Sequence, residues 1–163
     1  MTKVIVNFAG RTLIVGMLAL VATGACFAQE SKGGGGRLVG TWDTTVRIKD
    51  CATGNVLNTF ASIASFNQGG TTIGSTAGIP QSLRTPEHGI WRHISANLYE
   101  FKFKSFNFNA MGQPVSYTIV AHTVELNEMA DAWYSTGTAS IFLLNGTQVG
   151  QGCSEGDSTR MSF

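Results

Sequence analysis

The chain has 163 residues, 43% of them hydrophobic and 13% charged, with a formal net charge of +1. That length suits one folded domain, and the hydrophobic content with so little charge excludes disorder over most of it. The near-neutral balance leaves no basic surplus for gripping phosphates, so nucleic acid is not an expected partner, and three Cys are too few for a disulfide-built mini-protein.

At the start of the chain, Lys3 and Arg11 precede an apolar run from Leu13 to Val21, and mostly small residues follow from Ala22 to Ala28. This is the layout of a secretory signal peptide. The apolar run is short beside the ~20 residues that a membrane span needs, so the mature chain is expected to hold no integral membrane segment. Cys26-Phe27-Ala28 offers a cleavage site that makes residues 1–28 the signal and sends the protein to the periplasm or the exterior. A second reading competes with it. Thr23-Gly24-Ala25-Cys26 resembles a bacterial lipoprotein box without its usual Leu, and would anchor the chain through a lipidated Cys26. Loss of Lys3 and Arg11 leaves 9 basic residues against 10 acidic ones, a net charge of −1. Residues 29–36, ending in four Gly, read as a flexible linker, and 37–163 as the folded domain.

No window in that domain keeps a helical period; short β-rich runs separated by turn residues recur instead. Strands are predicted at Arg37–Ile48, Leu57–Phe66, Thr71–Ser75, Gly89–Ser95, Leu98–Asn109, Val115–Leu126, Ala132–Leu144 and Thr147–Met161. Asn145-Gly146 is the strongest turn signal and suits a type I′ hairpin. The one long connection, Thr76–His88, contains Pro80 and Pro86 and is expected to form a flap. Alternation sets Trp42, Thr44, Val46 and Ile48 on one face of the first strand, and Tyr99, Phe101 and Phe103 on one face of the fifth. Phe106 and Phe108 break that second phase, which predicts a bulge near Lys104–Ser105. Eight sequential antiparallel strands leave unpaired edges unless the sheet closes, so the expected fold is all-β: an eight-stranded antiparallel up-and-down β-barrel.

Closure brings the first and last strands together. A register placing Trp42 opposite Arg160 leaves Cys51 and Cys153 two positions from direct pairing, both pointing outward. With Cys26 removed, these are the two remaining thiols, and a Cys51–Cys153 disulfide is predicted in the oxidising compartment.

Gly40-Thr41-Trp42 at the start of the barrel and Arg160 near its end resemble the lipocalin and wider calycin pattern. There a Gly-x-Trp motif packs under an Arg of the last strand, which implies structural roles for Gly40, Trp42 and Arg160. Phe66-Asn67-Gln68-Gly69-Gly70-Thr71, Pro86-Glu87-His88-Gly89-Ile90-Trp91 and the stretch from Gly152-Cys153 through Thr159-Arg160 are similar to a group of exported bacterial lipocalin-like proteins that carries no established activity. The resemblance therefore implies a fold more than a function.

No Cys-x-x-Cys, HExxH or Gly-x-Ser-x-Gly occurs, and neither a metal site nor a cofactor is expected. His88 and His93 are five residues apart and diverge on any regular strand; so do His122 and Glu125. His88 reads as a turn residue bonded to local backbone. The aromatic set is more informative. Trp91, Tyr99, Phe101, Phe103, Tyr117 and Trp133, with His93, are the candidate ligand-binding residues of the barrel interior. On the last strand Gly150, Gly152, Ser154, Gly156 and Ser158 share a face with Arg160, so one wall carries little side-chain volume and leaves room for a guest. The expected function is non-catalytic binding of a small apolar or amphipathic molecule. A fully packed structural or interaction barrel is the alternative, and an isomerase or cyclase using His93 with Tyr99 or Tyr117 is a third reading.

Overall fold

The computed structural model describes residues 35–163. The signal peptide, its cleavage site, Cys26 and most of the linker lie outside the described residues. Eight strands follow a 3₁₀ turn at Gly35–Leu38: β1 (Gly40–Lys49), β2 (Val56–Asn67), β3 (Thr71–Thr76), β4 (Glu87–Ser95), β5 (Leu98–Phe108), β6 (Pro114–Leu126), β7 (Ala132–Leu143) and β8 (Gln148–Arg160). Each pairs antiparallel with its sequence neighbours, and β1 pairs with β8, so the barrel is closed in up-and-down order. Trp42 stands opposite Arg160 and the register runs unbroken to Lys49 opposite Cys153. The outer side of this seam carries Arg47 and Lys49 against Glu155 and Asp157. Cys51 and Cys153 form a disulfide with Cα atoms 5.2 Å apart, clipping the β1–β2 loop to β8. Among the described residues no helix is long and apolar enough to cross a membrane.

Alternate connections share an end of an up-and-down barrel, and here the two ends differ. The chain start, the β2–β3, β4–β5 and β6–β7 turns and the chain end gather at one end, and most of the buried core packs there. Leu38, Trp42, Tyr99, Val124 and Leu126 are fully buried, with Phe66 and Trp133 nearly so. Arg160 closes this end. Its guanidinium stacks 4.2 Å from the Trp42 ring and donates to the carbonyls of Arg37 (2.5 Å), Val39 (2.6 Å) and Ala130 (2.7 Å). Gly40 is required beneath it: its φ is +141°, and a Cβ there would come within 2.4 Å of Arg160 Nη1.

Four local expectations need correction. Arg37 and Leu38 are not strand but the 3₁₀ turn, because Leu38 folds under the barrel and its carbonyl accepts the Trp42 indole N–H at 3.0 Å. No bulge interrupts Lys104–Ser105. The β5–β6 pairing continues through both and shifts only at Asn107–Phe108, since Ser105 turns inward while Phe106 stays outside near Lys104. The β7–β8 turn is not type I′. Gly146 alone takes a positive φ (+90°) and its N–H donates to the Leu143 carbonyl at 2.9 Å, which is the three-residue turn that ends on a left-handed Gly. Glu87 and His88 belong to β4, not to the loop before it, with His88 facing out between Ile73 and Lys104. The β3–β4 loop is folded along β5: the Thr85 N–H donates to the Phe106 carbonyl at 3.0 Å, and Arg84 bridges to Asn107.

Candidate functional site

The half of the barrel away from Arg160 contains a cavity of about 110 Å³. Val46, Ile48, Phe60, Phe103, Val120 and Ala139 supply much of its apolar wall, while Phe66, Phe101 and Trp133 reach up to it from the packed end. The small residues of β8 do what their alternation promises: Ser154 and Gly156 line the cavity and leave it open on that side.

Two polar groupings interrupt the apolar wall. The first is at the loop side. Arg84 swings in from the β3–β4 loop, and its guanidinium lies 3.1 Å from Glu87 at the start of β4, with side chains only 9% and 7% exposed. Arg84 Nε also donates to Ser105 Oγ at 2.8 Å. Burial pushes the Glu87 carboxyl up against the opposing pull of Arg84, and pushes Arg84 down. The guanidinium keeps its proton throughout the ordinary range, and its 3.1 Å contact with Glu87 favours the ionised carboxylate against the burial that disfavours it. Gly74 leaves room beside the pair: a Cβ there would lie 2.9 Å from both Glu87 Oε2 and the Ile63 carbonyl oxygen.

The second grouping is His122 on β6. Its ring stacks on Phe101 at 5.3 Å, its Nδ1 is 2.9 Å from Ser135 Oγ and its Nε2 is 2.7 Å from Ser154 Oγ. Burial holds the imidazole down to about 4, so it is neutral at pH 7. A neutral ring offers one donor and one acceptor, and two hydroxyls can satisfy both in either tautomer. One further group stands apart: the indole N–H of Trp133 is buried and has no hydrogen-bond partner among the described residues.

The seven residues nominated from sequence divide three ways. Phe101, Phe103 and Trp133 line the cavity. Trp91, His93 and Tyr99 lie toward the packed end: Trp91 Nε1 donates to the Asn67 carbonyl at 3.0 Å, and His93 Nε2 is 2.9 Å from the Ala96 carbonyl beside the Tyr99 ring. Tyr117 is on the outer surface, stacked on Phe142 at 5.1 Å with Lys104 Nζ 3.8 Å from its ring. It faces out because it alternates with Thr118 and Val120, which point in. His93, Tyr99 and Tyr117 therefore do not meet around one substrate. Arg84, Glu87 and His122 were not nominated. His122 shares the parity of Val120, Val124 and Leu126, which is the signal that places it inside.

Among the described residues no three His, Cys, Asp or Glu side chains gather as a metal site. No protein-family model matches the chain, and no curated protein is significantly similar to it.

Proposed function

We propose that the chain is an exported binding protein of lipocalin-like build that holds a small apolar or amphipathic molecule in the open half of its barrel without converting it. The observation that carries this reading is the cavity: apolar walls, a few fixed polar groups and a rigid closed sheet around them are what small-molecule sites generally consist of. Its size is of the order of the ~150 Å³ apolar cavities that take up benzene, which points to a guest of about one ring. The Cys51–Cys153 bond fits an oxidising, extracytoplasmic setting. Native mass spectrometry of protein collected from the exported fraction, without detergent, tests the reading. The expected spectrum shows a non-covalent adduct of small-molecule mass; protein that is always bare and takes up no apolar compound added to it would overturn the proposal.

A further inference from the structure

Resting on that binding reading, we propose that the barrel selects uncharged guests and rejects carboxylates and ammonium ions of the same size. Of the side chains that line the cavity, only Arg84 and Glu87 carry charge, and they face each other at 3.1 Å, nearly buried. The remaining polar groups are hydroxyls and His122, whose two ring nitrogens are already engaged by Ser135 and Ser154. The cavity is therefore polar in places but neutral in sum.

An entering carboxylate has one cation to pair with. Taking Arg84 leaves Glu87 buried without its partner, and breaking a buried pair on one side costs far more than the pair contributes. An entering ammonium ion meets the mirror problem at Glu87. A neutral guest leaves the pair intact.

The test uses three probes of nearly equal size, acetophenone, benzoate and benzylammonium, titrated calorimetrically into the intact protein at pH 7. Acetophenone is expected to bind about tenfold or more tighter than either ion. Glu87→Gln leaves Arg84 as a lone cation, and benzoate should then become the preferred probe; Arg84→Met should turn the preference to benzylammonium. Benzoate or benzylammonium matching acetophenone on the wild type overturns the selectivity while leaving the binding reading intact. So does a Glu87→Gln protein that folds and keeps the wild-type order. No uptake of any of the three overturns both. Should either variant fail to fold, the wild-type series alone decides.

Discussion

The two ends of this barrel solve opposite problems with the same strands. At the packed end Trp42, Tyr99, Leu126 and Leu38 fill the interior, and Arg160 ties three backbone carbonyls together over the Trp42 ring. At the other end Phe60, Phe103 and aliphatic residues alternate with Gly, Ser, Ala and Thr, and the space the small residues leave is the cavity. Closure and capacity are separable here. Stability is concentrated where the aromatic rings meet, and binding potential where side-chain volume is withheld.

Substitutions at the packed end should strike stability hardest. Trp42→Ala removes a fully buried indole together with the surface on which Arg160 stacks, and is expected to cost about 3–5 kcal/mol, read from the urea midpoint. Breaking the disulfide acts on the unfolded chain as well. With its Cys 102 positions apart, the Cys51→Ala/Cys153→Ala variant is expected to lose about 2–4 kcal/mol without moving the strand register.

His122 sits where the two regions meet, and pH reads it. Its folded value is depressed to about 4 from an ordinary 6.5, so between those limits the unfolded chain binds more protons than the folded one. Stability should therefore be full above pH 6.5 and fall as the pH drops toward 4, by about 3 kcal/mol. Glu87 opposes this: its raised value makes the folded state the better proton binder as the pH falls into the carboxylate range. The difference between wild type and His122→Gln isolates the imidazole, and that difference should shrink steadily as the pH falls from 6.5. A constant difference across that window would show that His122 is not buried as a neutral ring.

The smallest effect belongs to neither end. Tyr117→Ala on the outer surface gives up the contact with Lys104 and the stack on Phe142, and should cost about 0.5–1 kcal/mol with no change in binding.

Much of the packed end was legible in the sequence, because it is built from regular strands. Trp42 and Arg160 could be set opposite each other by counting, and the same count faced both Cys residues outward. The small face of β8 followed from alternation as well. The cavity's polar groups were harder to find for physical reasons. Arg84 lies in a loop, where no period tells inside from outside, and Glu87 is the first residue of a strand whose start sequence reasoning set two residues late. Counted back from Trp91 and Gly89, Glu87 shares their inward parity. Tyr117 shows the opposite error: being aromatic on a strand outweighed its phase, although His122 and Val120 on the same strand fix that phase.

The most direct test of this division of labour is Ala139→Phe, which places a ring inside the cavity and leaves every residue of the packed end unchanged. Uptake of acetophenone, followed by ligand-observed NMR, and the urea midpoint are measured on the same samples. Uptake should disappear while stability changes by less than about 1.5 kcal/mol. A variant that binds acetophenone as the wild type does would contradict that division.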